Sequence, residues 1–150
     1  MKASYIKDLK EWQEEFKFFV EVTVRFSETD MFGHLNNTVP FTYFEYARIE
    51  YMKHMKRFGS TGQSSEQMTK ISVVADLQCD YFKQVYFDET LRIYVKTAKI
   101  GNSSIDIHYL AKNENNELCF TGRGTIVQID KATGKAIPWD EKEKLILQEK

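Results

Sequence analysis

The sequence predicts an α+β fold in which a curved antiparallel sheet of about five strands wraps around one long central helix. Three observations lead there. Runs of strict apolar/polar alternation recur along the chain, as half-buried strands require. A single segment, residues 38–57, instead carries apolar residues at spacings of three and four, and carries them on most of its sides. The later strand-like runs are separated by short turn-forming links, which favours antiparallel neighbours.

Taken in order, residues 5–15 form a short helix. Phe18, Val20, Val22, Val24 and Phe26 alternate with Phe19, Glu21, Thr23 and Arg25 in a first strand. In the helix, Phe41, Phe44, Ala47, Tyr51, Met55 and Phe58 share one face, and Tyr43, Tyr46, Ile49 and Met52 widen it. That width predicts burial on most sides; the aromatics are core residues first, and some can line an apolar pocket. Thr38 is placed to cap the helix, with Pro40 in the first turn, where its missing N–H costs nothing. Lys53, His54, Lys56 and Arg57 complement the macrodipole of the last turn, and Gly59 ends it.

Residues 59–70 are rich in Gly, Ser and Gln and read as a linker or a lid. A second strand follows, with Ile71, Val73, Ala75, Leu77, Cys79 and Tyr81 on one face. Leu91, Ile93 and Val95 belong to a third and Ile105, Ile107 and Tyr109 to a fourth, joined by a hairpin at Gly101-Asn102, residues that tolerate positive φ. Asn115-Asn116 turns the chain into a fifth strand, residues 117–129, where Gly122 and Gly124 suggest a bulge or a close backbone approach. Asp140 and Glu143 form a capping box for a terminal helix over about 140–148. The expected organisation is one domain over 1–150 with its core at about 18–130. Open sheet edges favour pairing with a second copy.

Composition narrows the function. A net charge of −1 gives no global reason to expect nucleic acid. No stretch approaches the roughly 18 unbroken apolar residues of a membrane span, and the N-terminus lacks a signal-peptide pattern. Cys79 and Cys119 are the two cysteines and read as buried free thiols, which suits a cytoplasmic location. The three histidines, His34, His54 and His108, show no metal-ligand spacing, so neither metal nor cofactor is expected.

The chemistry concentrates in SETDMFGHLNN, residues 27–37, which gathers Asp30, His34, Asn36 and Asn37 around Gly33 just before the long helix. The first N–H groups of a helix lack internal partners and sit at the positive end of its dipole, which suits an oxygen that becomes negative in acyl transfer. A carboxylate beside them can act as nucleophile or as general base. Gly33 permits the turn that returns Asp30 over the helix end. The other reading of Asp30 is an Asx-turn that braces the loop.

At these residues, VRFSETDMFGHLNNTVPFTYFEYARIEYM together with CDYFKQVYFDETLRI resembles the hotdog-fold thioesterases related to 4-hydroxybenzoyl-CoA thioesterase, over about residues 18–130. The D-x-x-G-H-x-N-N run followed by Y-x-x-x-A-R carries the likeness. It implies a homodimer or homotetramer with sites at subunit interfaces, hydrolysing thioesters of coenzyme A or acyl carrier protein. It implies that Asp30 is the catalytic carboxylate and that the backbone N–H at Asn37 polarises the carbonyl. Gly33 matches the turn glycine, and His34 and Asn36 match polar positions of this branch, which either orient Asp30, the thioester or water or are purely structural. Thr38 opens the helix at the substrate. Glu45 lies eight residues beyond Asn37, where a related branch places a glutamate; its other reading is an i,i+3 pair with Arg48. Gln84 departs from the proline common in the family. Lys83, Arg92, Lys96, Lys99, Lys112 and Arg123 are available to CoA phosphates without any being singled out. Two rivals remain: a hotdog dehydratase or hydratase using His34 with an acid, and a non-catalytic acyl-CoA-binding module.

Overall fold

The computed structural model describes residues 3–55 and 69–148. Its elements are α1 (Leu9–Glu14), β1 (Phe18–Thr23), α2 (Val39–His54), β2 (Lys70–Tyr81), β3 (Thr90–Ile100), β4 (Ser104–Lys112), β5 (Leu118–Asp130) and α3 (Glu141–Gln148). The strands form one antiparallel sheet in the order β1-β3-β4-β5-β2, curved around α2 in a hotdog fold. Lys56, Arg57, Phe58, Gly59 and nearly all of the expected linker fall outside the described residues.

Directly opposed residues of an antiparallel pair share a face, so the register sorts the sheet. Val95 opposes Tyr109, and Tyr109 opposes Gly122; these face α2. Phe44 of α2 is fully buried and stacks on Tyr109 at 4.4 Å between ring centroids. Gly122 makes this possible: a Cβ there would lie 2.4 Å from Phe44 Cε2 and 2.8 Å from the Gln78 carbonyl oxygen. The glycines of β5 thus serve close approach, and no register shift falls at either of them.

The opposite face is covered by the N-terminal segment, where Ala3, Ile6, Trp12, Phe16 and Leu110 form a second buried cluster. Asp8 caps α1 by accepting the Glu11 N–H. The Trp12 indole N–H donates to His108 Nδ1 at 2.9 Å, leaving Nε2 to face Asp106 at 3.0 Å. At the other end of the chain, Asp140 N–H donates to Glu143 and Glu143 N–H donates to Asp140, the reciprocal box that the spacing predicts.

Four local expectations are corrected. Alternation through 71–81 predicts a single apolar face for β2, but Val74 opposes Ile126 while Asp76 opposes Thr125, so Ala75 is an inserted residue. The bulge flips parity: Ile71 and Val73 lie on the face opposite Leu77 and Cys79. Secondly, α2 is buried on one side and not on most sides. Pro40, Tyr43, Phe44, Ala47, Tyr51 and Met52 are buried, but Glu45, Tyr46, Ile49 and Lys53 face out, because the sheet covers only one side. Thirdly, Thr38 makes no side-chain cap. Its backbone is already helical, and Pro40, two residues on, has no N–H to offer; Asn36 caps instead, accepting the Thr38 N–H through Oδ1 and the Val39 N–H through its carbonyl. Finally, neither Gly101 nor Asn102 adopts positive φ in the β3–β4 hairpin, whereas Asn116 does, at 60°, before β5.

Candidate active site

From the end of β1 the chain makes a 3-10 turn, Phe26–Glu28, then folds residues 29–37 against the segment that follows β2. Leu35 N–H donates to the Val85 carbonyl at 2.7 Å, and the backbones of His34 and Tyr86 form a bridge. Within the loop, Asp30 N–H donates to the His34 carbonyl at 2.8 Å and Gly33 N–H returns to Asp30 at 3.1 Å. Gly33 sits at φ +83° with nothing within 4 Å of an added Cβ, so backbone conformation and not space demands the glycine.

The Asp30 carboxylate is held on one side only. Oδ1 accepts the N–H groups of Phe32 at 2.9 Å and His34 at 3.2 Å, while Oδ2 takes no hydrogen bond among the described residues. The Asx-turn does not use up the carboxylate: the turn fixes one oxygen and leaves the other without a hydrogen bond among the described residues. At the helix start, the Asn37 N–H likewise has no acceptor among the described residues. Its carbonyl accepts a hydrogen bond from the Tyr81 hydroxyl, which ties edge strand β2 to the start of α2.

Asp30, His34, Asn36 and Asn37 all line one cavity of about 460 Å³, walled by Pro40, Val85 and Phe120. Gly33 shapes the loop without lining the cavity, and Thr38 lies exposed at the helix start. Glu45 is exposed on the outward side of α2, away from this cavity. It does not pair with Arg48, whose guanidinium donates to the buried Tyr109 hydroxyl at 3.2 Å; a buried hydroxyl needs a partner more than an exposed carboxylate does. Of the six candidate cations, Lys83 lines the cavity, 3.5 Å from Glu117, whereas Lys96 is buried over the Trp12 and Phe16 rings and not on the surface. Arg92 faces Glu21, Lys96 faces Glu15, and Arg123 binds Asp106 and Asp76. Gln84 lines the cavity where the family pattern has proline.

Three side chains at the site escape a reading of the sequence. Tyr81 and Tyr43 look like core aromatics, and Glu28 like one more polar loop residue. Glu28 Oε1 accepts the Tyr43 hydroxyl and the Arg25 N–H, each at 2.8 Å. Burial, and then the Glu28 carboxylate, push the Tyr43 hydroxyl well above its ordinary pKa. The polar position two residues before Asp30 is the signal that could have flagged Glu28. Nothing in a single sequence pairs it with Tyr43.

A model of the thioesterase-like superfamily matches residues 24–147. The chain belongs to that superfamily. Its reaction class is accordingly thioester hydrolysis, and it is an enzyme. It is 50% identical to the uncharacterized protein YsmA of Bacillus subtilis (strain 168) over 135 residues, covering 90% of this chain and 88% of that one. A predicted thioesterase from Bacillus stearothermophilus aligns at a TM-score of 0.77 and 29% identity, over 87% of this chain and 93% of the other. A thioesterase from Thermus thermophilus, solved with coenzyme A and zinc, aligns at 0.75 and 28%, over 90% and 95%. Among the described residues of this superfamily member, no group of three or more His, Cys, Asp or Glu side chains could hold a metal ion. No described helix is long and apolar enough to cross a membrane.

Proposed function

We propose that this chain hydrolyses an acyl-CoA thioester, or the same thioester on acyl carrier protein, to free acid and thiol. The observation that carries the reading is the Asp30 carboxylate, one oxygen fixed and the other open, in the same cavity as Asn37, whose N–H has no acceptor among the described residues. Coenzyme A in the Thermus thermophilus neighbour supports the carrier. In the general-base route Asp30 Oδ2 takes a proton from water as the water oxygen bonds to the carbonyl carbon. The carbonyl oxygen, now negative, receives the Asn37 N–H; collapse breaks the C–S bond, and the thiolate takes the proton back from Asp30. In the nucleophilic route Oδ2 bonds to the carbonyl carbon and the C–S bond breaks, expelling the thiolate and leaving an anhydride on Asp30; water then cleaves the anhydride to free acid and the restored carboxylate, and the water proton goes to the thiolate. His34 and Asn36 orient water and thioester, with Gly33 and Thr38 shaping the approach.

The active form is a homodimer or homotetramer with sites at the interface. Edge strand β2 leaves Val73 and Val74 exposed, and α2 leaves Tyr46 and Ile49 exposed beside Glu45, a surface a second copy would cover. Such a copy would bring Glu45 to a neighbouring site. The expected location is the cytoplasm, and the reaction needs no cofactor.

Thiol release, followed with a thiol-trapping dye across short, medium, long and aromatic acyl-CoAs, tests the reading for wild type and Asp30→Asn. The amide oxygen of asparagine still accepts the loop N–H groups, so the fold is kept while the base is lost. A fall of about 10²–10⁴-fold is expected. Equal rates would remove Asp30 from the mechanism. Loss of enoyl absorbance without thiol release would favour the dehydratase, and saturable binding without turnover the binding module.

A further inference from the structure

The carboxylate at Asp30 and the N–H at Asn37 are useful together only if the loop between them is held at a fixed distance from the helix. The covalent chain does not do this, because residues 31–33 bulge away from the protein, with Met31 88% and Phe32 74% exposed. The restraint must come from bonds across the base of the loop. Two converge on Glu28. Its backbone carbonyl accepts the Asn36 N–H at 2.8 Å, and its carboxylate accepts the Tyr43 hydroxyl at 2.8 Å.

These bonds run in series. Tyr43 is rooted in α2 and only 5% exposed. Its hydroxyl fixes the Glu28 carboxylate, whose side chain is 15% exposed and also holds the Arg25 N–H. Glu28 stands two residues before Asp30, and its carbonyl holds Asn36, the residue that caps α2 and precedes Asn37. Glu28 thus joins the strand-side root of the loop to its helix-side root, two residues along the backbone from Asp30 and, through Asn36, one residue from Asn37. Arg25 contributes little, since its own side chain is 80% exposed and its Nε lies 3.9 Å from the carboxylate.

We propose that Glu28 and Tyr43 are a positioning pair, a brace that sets the separation of the Asp30 carboxylate from the Asn37 N–H. Neither touches substrate; both act through the loop. The assignment rests on the thioesterase reading for its kinetic consequence, but not for its mechanical one. A misplacement of reacting groups by about 1 Å can cost ~10²-fold in rate, and loss of this brace releases the loop without removing any reacting atom.

The test uses the intact chain with Tyr43→Phe, Glu28→Gln, Glu28→Ala and the Tyr43→Phe/Glu28→Ala double variant. Tyr43→Phe keeps the buried ring and deletes only the hydroxyl. Its kcat on the best acyl-CoA should fall roughly ten- to hundredfold with KM little changed. Glu28→Gln keeps an oxygen for the Tyr43 hydroxyl and the Arg25 N–H and should recover most of the rate. The double variant should be no worse than the poorer single one, since both cut the same link. In parallel, hydrogen exchange should speed up at the Asp30 and Asn36 amides in Tyr43→Phe while Ile93 and Ile107 in the sheet stay protected. Active wild type with an unchanged kcat in Tyr43→Phe would overturn the brace, as would an equal loss in Glu28→Gln. A wild type silent across the panel would end the acyl-CoA reading instead, leaving an acyl carrier protein thioester, the dehydratase or the binding module. Exchange then decides alone: faster Asp30 and Asn36 amides uphold the brace, and unchanged ones overturn it.

Discussion

Gly122→Ala should be among the most damaging single-methyl additions to this protein. The new Cβ would stand 2.4 Å from Phe44 Cε2, 2.5 Å from Cζ and 2.8 Å from the Gln78 carbonyl oxygen. Ordinary carbon contacts begin near 3.5 Å, so the ring would have to retreat by about 1 Å. It has nowhere to go: Phe44 is fully buried, stacked on Tyr109 at 4.4 Å and tilted against Phe120 at 5.8 Å. The Gln78 oxygen is backbone of the paired strand, where Gln78 opposes Arg123 and Cys79 opposes Gly122. Overpacking a well-filled core typically costs about 1–3 kcal/mol, and with both neighbours fixed the upper end applies. At roughly 2–4 °C per kcal/mol for a chain of this size, Tm should fall by ~6–12 °C. Thermal unfolding by circular dichroism measures it. Phe44→Leu in the Gly122→Ala background should recover part of the loss, because the two changes share one contact. A Gly122→Ala variant within about 2 °C of wild type would refute the reasoning and show that α2 shifts bodily on the sheet.

Other outcomes follow from the same geometry. Asn36→Ala should cost about 0.5–2 kcal/mol in urea unfolding as the helix cap is lost, whereas Thr38→Ala should cost less, since its hydroxyl caps nothing. His108 gives a pH signature. Burial lowers its pKa, outweighing Asp106, which raises it; Lys96 and Arg123 lower it further. Trp12 donates to Nδ1, so protonation would set one N–H against another. A folded pKa below the unfolded value of about 6.5 means that the unfolded chain binds the extra proton as pH falls. His108 should therefore stabilise the fold fully above about pH 6.5 and lose this contribution progressively as pH drops below it. Urea midpoints between pH 7 and 5 should fall more steeply for wild type than for His108→Gln, and parallel curves would contradict the assignment.

Much of the fold is legible because period-2 and period-3.6 patterns mark which side chains leave water. Phe18, Val20 and Val22 alternate as written, and the Asp140–Glu143 box closes as spaced. The exceptions arise where a partner distant in sequence decides. At β2 the alternation runs on unbroken through Ala75, yet pairing with β5 inserts that residue and reverses the faces of Ile71 and Val73. Arg48 reads as a partner for Glu45 three residues away, until the buried Tyr109 hydroxyl, 61 residues on, claims it.

The candidate site divides in the same way. The sequence by itself determined the composition of the loop: a carboxylate, an imidazole and two amides around a glycine that must take positive φ, placed before a helix whose first donors lack internal partners. These are local facts, fixed by covalent spacing and backbone sterics. Only the tertiary structure decided that one Asp30 oxygen is fixed and the other open, that Tyr81 reaches the Asn37 carbonyl, and that Glu28 leans on Tyr43. A hydrogen bond depends on ångström distances between groups that folding alone brings together, and no spacing along the chain encodes them.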